Sequence, residues 1–498
     1  MLTNLWQKWI GHLFDSKKQR NLPLYLYNTL SKSKEVFSLP PYAKAVRMYN
    51  CGPTVYGVQH IGNLSMFVFT DILRRTLEFN GLAVMQVINF TDFGHLTSDA
   101  DEGDDKMIKG LKREGLKPTL KNMHEMGKKY AAIFKEDLAK LNIDVPNITF
   151  PFASDYVPAQ IAMIKTLEEK GYAYRSSRGV YFDTARFPVY GKLGAINLEG
   201  QREGARVEAD TEKRNAADFI LWKSSGHLGW DSPWGKGFPG WHIECSAMIN
   251  AILGKQIDIH TGGIEHIGVH HNNEIAQSES ATGKRPLSRF WMHRAHLQID
   301  DAKIAKSDGN TICLSDIIEK GFHPLALRYL FLTAHYRTSA NFTWKSLEAA
   351  QTSFLKLRRL VESEDKAGHA PDFWRKKIYE RFNDDLDTPG ALALIWEMLK
   401  DTGVARADAK ALIADADRVF GLGLGQPDVV ADSLCGKMFG VPVQSEELPE
   451  RVEKLVSARE QARKEKNWQQ ADSLRSELQK LGYSLEDTAS GPRVFKKD

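Results

Sequence analysis

The run Cys51-Gly52-Pro53-Thr54-Val55-Tyr56-Gly57-Val58-Gln59-His60-Ile61-Gly62-Asn63 constrains this chain more than any other segment. It is entered from Ala45 to Tyr49, an apolar stretch with β-branched Val46 that reads as a short strand. It is left through Leu64, Phe67, Val68, Asp71, Ile72 and Arg75, which fall at helical spacing. Gly81 then offers a stop, and Leu82 to Ile88 reads as a second buried strand. Strand, turn, helix and strand in that order make a βαβ unit, with a parallel sheet and a right-handed crossover. The helix start near Gly62-Asn63 leaves unpaired amides carrying partial positive charge, which suits an anion. Gly62 admits a flat ligand close to the backbone, and His60 stands where it can donate to a phosphate oxygen. A nucleotide phosphate is the ligand this turn suits best; a tight loop with one incidental histidine is the plainer alternative.

At 498 residues the chain exceeds one ordinary core, and three or more domains are expected. A formal charge of +4 permits a polyanionic partner without arguing for one. No apolar run reaches the length of a membrane span, so no membrane partner is expected. The four cysteines, Cys51, Cys245, Cys313 and Cys435, lie too far apart to suggest a disulfide framework. A reducing, cytoplasmic location follows as the expectation. Leu2, Leu5, Trp6, Trp9, Ile10, Leu13 and Phe14 form one helical stripe, read as a docking helix rather than a signal peptide.

Beyond the βαβ unit, Thr91 and Asp92 end the second strand, the position at which open parallel sheets carry their ligand crevice. The acidic loop with Asp99, Asp101, Glu102, Asp104 and Asp105 lacks calcium-loop spacing and reads as solvated. Helices are expected over Lys121 to Leu141 and Tyr156 to Lys170, then a hairpin from Tyr172 to Phe182. The charged, glycine-rich segment Gly191 to Ala216 reads as an exposed insertion. Alternation of helix and strand resumes with a helix from Trp241, a strand at Ile257 to His260, a helix from His270 and a strand at Met292 to Ile299. After Ser315 the pattern is helical over Pro324 to Thr333, Leu347 to Glu362, Asp372 to Asn383 and Pro389 to Asp401. Regularity is lost from Val429 to Glu446; two amphipathic helices, Val452 to Lys464 and Trp468 to Lys480, and a terminal hairpin close the chain.

Chemistry gathers at two places. Cys51 and Cys245 each lie beside a helix boundary, and His270 and Glu274 stand four apart on one helix, hence on one face. Two thiolates, an imidazole and a carboxylate make a zinc-like set, soft enough to prefer zinc over magnesium or calcium. His271 is a rival to His270, because its spacing to Glu274 does not exclude it. The loop Lys303-Ile304-Ala305-Lys306-Ser307-Asp308-Gly309-Asn310 is mobile in composition and basic, which suits charge developing on a phosphate chain.

Four ordered motifs carry a resemblance: Cys51 to Asn63, Gly240 to Met248, His270 to Ser278, and Lys303 to Ser307. Together they resemble the signature of the class I cysteinyl-tRNA synthetases, over nearly the whole chain from about Leu22. The resemblance implies zinc, one per chain, on Cys51, Cys245, His270 and Glu274, and favours His270 over His271. It implies a cysteine pocket at Thr91 and Trp241, and ATP, accompanied by Mg2+, at His60, Gly62, Asn63, Lys303 and Lys306. The reaction implied is ATP-dependent formation of cysteinyl-adenylate, followed by transfer to the terminal adenosine of tRNA(Cys). The fold implied is α/β: a Rossmann-like parallel-sheet catalytic domain, an inserted connective segment, a helical tRNA-binding region and a small C-terminal α+β domain. Its boundaries are expected at 1–21 for the N-terminal extension, 22–140 and 231–314 for the catalytic halves, 141–230 for the insertion, 315–428 for the stem-contact bundle and 429–498 for the anticodon domain. A monomer is expected.

A shape-reading pocket separates near-isosteres such as cysteine and serine by only about 10–200-fold, so a thiol-preferring metal has a rationale as selector. The chain departs from the family pattern at Asn63, where the second histidine of a His-Ile-Gly-His element stands, at Ile304-Ala305, and in the inserted-looking Phe93 to Asp101. These departures bear on turnover more than on identity. A ligase that attaches cysteine to a small amine would share the catalytic core, but the long helical region after Ser315 serves no purpose there.

Overall fold

The computed structural model describes residues 22–94, 105–194, 212–299, 302–303, 311–362, 368–439, 441–443, 447–488 and 491–496. The N-terminal stripe, most of the acidic loop and positions 304–307 of the lysine loop lie outside these residues. The chain divides into two compact units, one within residues 1–350 and 366–422, the other within 351–365 and 423–498.

The first unit opens with a hairpin, β1 (Tyr25–Asn28) and β2 (Ser33–Val36), that the sequence reading did not anticipate. The expected βαβ unit follows as β3 (Val46–Asn50), α1 (Ile61–Phe79) and β4 (Val84–Ile88), with β3 and β4 parallel. Helices α2 (Lys106–Arg113) and α3 (Leu120–Lys140) precede the short β5 (Ile148–Thr149), and α4 (Val157–Glu169) follows it. Asp105 caps α2 by accepting from the amides of Met107 and Ile108, so the end of the acidic loop is structural rather than merely solvated. A separate antiparallel sheet of β6 (Ala173–Ser176), β7 (Gly179–Phe182), β8 (Phe219–Ser224) and β9 (Gly237–Pro239) follows. Then come α5 (Trp241–Ile252), β10 (Ile257–Gly263), α6 (His270–Thr282) and β11 (Ser288–Arg294).

The central sheet runs β11-β10-β3-β4-β5, parallel throughout. The chain builds outward from β3 on one side and then, through β10, on the other. The order therefore reverses between β3 and β10, and a ligand crevice opens at the carboxyl ends of strands flanking such a switch point. Cys51 lies there, its amide donating to the Thr261 carbonyl of β10 at 3.1 Å. Gly52 is required next: a Cβ would sit 1.6 Å from the Asn89 carbonyl oxygen just past β4.

The single strand expected over Met292 to Ile299 is two. β11 ends at Arg294, the Ala295 amide turns to the Tyr336 carbonyl, and β12 (Leu297–Ile299) joins β13 (Ala302–Lys303) and a later strand in another sheet. Helices α7 (Leu314–Glu319) and α8 (Pro324–Leu332) lead to that strand, β14 (Ala340–Phe342), and to α9 (Trp344–Val361), which starts in this unit. α10 (Asp372–Asn383), α11 (Thr388–Met398) and the unanticipated α12 (Arg406–Phe420) complete it. α12 is locked to α1 and α8 through a buried ion pair. Arg328 reaches Asp71 at 2.5 Å while donating to the carbonyls of Phe420 and Leu141.

In the second unit, α13 (Val429–Phe439) and β15 (Val441–Val443) occupy a segment that the sequence reading left irregular. Among the described side chains of α13 only Ala431 is fully buried, and Val429 is 83% exposed, so no apolar stripe announced the helix. α14 (Glu450–Lys464) and α15 (Trp468–Lys480) pack with the hairpin β16 (Tyr483–Thr488) and β17 (Gly491–Lys496), as expected. Val452, Val456, Leu478, Tyr483, Leu485 and Val494 form the core, and Arg459 clasps Asp487 through two bonds at 2.7 and 3.0 Å.

Candidate active site and metal centre

Three elements converge at the switch point. Cys51 follows β3, Cys245 lies on α5, and α6 supplies His270 and Glu274 one turn apart. All four are buried, and their ligand atoms lie within 4.8 Å of one another. Cys51 Sγ is 3.6 Å from Glu274 Oε1, and Cys245 Sγ is 3.6 Å from His270 Nε2. A tetrahedral ion with bonds of about 2.3 Å to sulfur and about 2.1 Å to nitrogen or oxygen separates such donors by roughly 3.5 Å. His270 Nε2 and Glu274 Oε1 stand closer, at 2.8 Å, a hydrogen-bond distance. The donor set fits a soft divalent metal.

The surroundings tune this cluster. His270 Nδ1 meets His242 Nδ1 at 2.9 Å, the outer-nitrogen bond that fixes the tautomer of a metal-binding imidazole. Trp241 stacks on the same ring at 4.1 Å. Glu274 Oε2 is held by His260 Nε2 at 2.7 Å. Burial raises the Glu274 carboxyl, yet His260 and His270 outweigh it and hold the group well below the usual carboxylate range. Burial opposes protonation of His270, but Glu274 and Cys245 push it up to about 10. Burial, Cys245 and Glu274 raise the Cys51 thiol. Cys245 goes the other way, to about 6, because the hydrogen bond from Cys51 and the His270 charge overcome burial.

His271, left open by spacing, also comes within reach. Its Nε2 is 3.3 Å from Cys51 Sγ, and with His260, Glu274 and Cys51 it makes a second overlapping donor group. Its other nitrogen pairs with His293 at 2.8 Å, and burial with the neighbouring histidines lowers its pKa well below the ordinary value. The group with two sulfurs suits zinc better than the group with one.

Cys51 and Trp241 share a cavity of about 540 Å³ with His60, Gly62 and Asn63. His60 caps α1, its Nδ1 accepting from the Asn63 amide at 3.2 Å, which assigns the ring proton to Nε2. Asn63 is less available than its position suggested. Its Nδ2 donates to Gln59 Oε1 at 2.6 Å, and buried Gln59 is itself fixed by the carbonyls of Thr54 and Gly57. Residues bordering the lysine loop are placed by the backbone: Lys303 pairs with Gln298 in β12, and the Ile312 carbonyl accepts from the amide of Ile61, the first residue of α1. Thr91 does not line the cavity; its hydroxyl donates to buried Glu244 at 2.7 Å. Asp92 is likewise structural, accepting from the Ser154 amide and hydroxyl. His260 was not singled out as a site residue by its sequence context; the one available signal was a polar residue ending an apolar strand.

Comparison with known proteins agrees with this geometry. Residues 38–352 match the tRNA synthetases class I (C) catalytic domain, and residues 445–492 match the cysteinyl-tRNA ligase anticodon binding domain. The cysteine--tRNA ligase 1 of Burkholderia lata is 44% identical over 480 residues, covering 95% of this chain and 97% of that protein. The cysteine--tRNA ligase of Treponema denticola is 38% identical over 507 residues, covering 96% and 100%. A Mycobacterium tuberculosis methionyl-tRNA synthetase bound by methionyl-adenylate shares the fold, with a TM-score of 0.53 and 14% identity over 79% of this chain and 93% of that one. A parallel sheet with its crevice at the β3/β10 switch point, two matching domain families and near-full-length relatives place the chain in the cysteine--tRNA ligase family of class I tRNA synthetases.

Proposed function

We propose that the chain is a cysteine--tRNA ligase that activates L-cysteine with ATP and passes it to the 3'-terminal adenosine of tRNA(Cys). One observation carries the reading: a single cavity is lined by Cys51 and Trp241 at the metal cluster and by His60, Gly62 and Asn63 at the start of α1. An amino acid whose thiol lies at the cluster can thus reach a nucleotide whose phosphates lie at the helix. Its carboxylate oxygen attacks the α-phosphorus, the bond to the β-phosphate oxygen breaks, and pyrophosphate leaves with both electrons of that bond. The terminal ribose hydroxyl then attacks the acyl carbon and AMP departs.

Cys51, Cys245, His270 and Glu274 would hold one zinc ion, which supplies a soft Lewis acid that prefers a thiolate to a hydroxyl. Trp241 bounds the cysteine side, and Thr91 contributes through Glu244 rather than by direct contact. His60 Nε2–H and the positive end of α1 at Gly62 face the phosphate oxygens, and Lys303 and Lys306 offset the charge of the phosphates and their Mg2+. The connective insertion is narrower than 141–230, because β5 belongs to the central sheet: the segment from β6 to β9 fills that role, with 315–428 as the stem-contact bundle and 429–498 as the anticodon reader, in a cytoplasmic monomer. Cysteine-dependent ATP–pyrophosphate exchange, run with and without tRNA, tests the reading. Exchange that needs cysteine but not tRNA, with serine at least a hundredfold worse, is expected. No exchange, or exchange equal with serine, would refute it.

A further inference from the structure

β11 ends on Arg294, a guanidinium only 5% exposed that faces the same cavity as His60 and Asn63. Its Nε donates to Ser65 Oγ at 2.9 Å, and Ser65 donates on to the Gly62 carbonyl at 2.6 Å. The group is thereby fixed against the first turn of α1. Among the described residues, no carboxylate pairs with it. The other deeply buried arginines are different: Arg74 has Glu78 at 2.8 Å, Arg328 has Asp71 at 2.5 Å, Arg358 has Asp432 at 2.9 Å and Arg459 has Asp487 at 2.7 Å. Burying an unpaired cation is costly. Burial alone lowers its pKa, to about 10, which leaves it charged at neutral pH.

We propose that Arg294 is an anion-binding residue of the active-site cavity, with its free fork taking the phosphate oxygens of the bound nucleotide. Three features select phosphate. The first turn of α1 contains no acidic residue, so the positive end of the helix dipole adds to the guanidinium charge with nothing to offset it there. The planar fork of arginine matches phosphate oxygens in pairs. The amino-acid end of the cavity already has its own landmarks in Cys51 and Trp241. The inference rests on the ATP-dependent reading above and adds a residue that the family motifs do not contain.

Arg294→Met and Arg294→Lys, compared with wild type by calorimetric titration with ATP and with adenosine, test the assignment. Loss of a charge-assisted hydrogen bond weakens binding by roughly tenfold or more. The methionine variant is expected to lose about that much ATP affinity, the lysine variant less, and both to keep adenosine affinity within about twofold. Ser65→Ala, which removes only the Nε anchor, is expected to weaken ATP less than Arg294→Met does. Unchanged ATP affinity would overturn the assignment. So would an equal loss of adenosine binding, a rise in the KM for cysteine alone, or a defect confined to transfer onto tRNA. Wild-type failure in cysteine-dependent exchange would instead overturn the functional reading, since ATP-versus-adenosine discrimination is measured without cysteine.

Discussion

Glu274 meets a different partner at each oxygen: Oε1 faces His270 and Cys51, and Oε2 faces His260. Cys51 and His270 are pushed up and hold their protons at neutral pH, while Cys245 and Glu274 are pushed down. Metal ligands must be deprotonated, so zinc has to displace those two protons. Raising the pH removes the competitor, and zinc affinity is expected to climb by about a hundredfold per unit between pH 7 and 9. Chelator competition across that range measures it; a flat profile would mean that the cluster does not bind as four ligands. Cys51→Ser is expected to lower zinc content and cysteine affinity while ATP affinity stays within about twofold, because the helix-side phosphate contacts remain. Equal loss of both ligands would mark the metal as structural. The ligand pair on α6 was legible in sequence because four-residue spacing on a helix is a local rule. His260 and Arg294 were not, since strand pairing across more than two hundred residues brings them to Cys51 and Ser65.

At the scale of elements, α1 is fastened at its start and in its middle. The Ile61 amide donates to the Ile312 carbonyl, and Asp71 is buried between Arg328 and Arg75. Burial raises the Asp71 carboxyl, but the two guanidinium groups outweigh it and set it below its ordinary value. Asp71→Asn leaves Arg328 buried without its charge partner and is expected to cost about 3–5 kcal/mol in denaturant unfolding at pH 7. A carboxyl depressed in the folded state stabilises above its unfolded value and loses that contribution as pH falls through its folded value. The gap between wild type and variant should therefore narrow below about pH 4. Gly421 completes the joint: its φ is +65°, and a Cβ there would come within 2.4 Å of Arg328 Nη2. The βαβ unit around α1 was readable because apolar periodicity and a glycine stop agree. The strand over Met292 to Ile299 was misjudged because hydrophobicity continues across Ala295, where the backbone changes partners.

At the scale of the molecule, the chain joins an α/β unit holding the buried Cys, His and Glu cluster to a small helical and stranded unit in the anticodon-binding family. Trp468 is 58% exposed beside Arg463 and Asp487, an arrangement suited to stacking an unpaired base. Trp468→Ala is expected to lower kcat/KM for tRNA charging by tenfold or more, at about 1–3 kcal/mol per stacked base, while leaving pyrophosphate exchange unchanged. The amphipathic helices α14 and α15 were plain in sequence; α13 was not, because its exposed face carries Val429 and Val430. X-ray absorption at the zinc edge shows whether the buried cluster reads the substrate thiol. Adding cysteine, but not serine, should raise the number of sulfur neighbours at about 2.3 Å from two to three. An unchanged sulfur shell in the presence of saturating cysteine would contradict it.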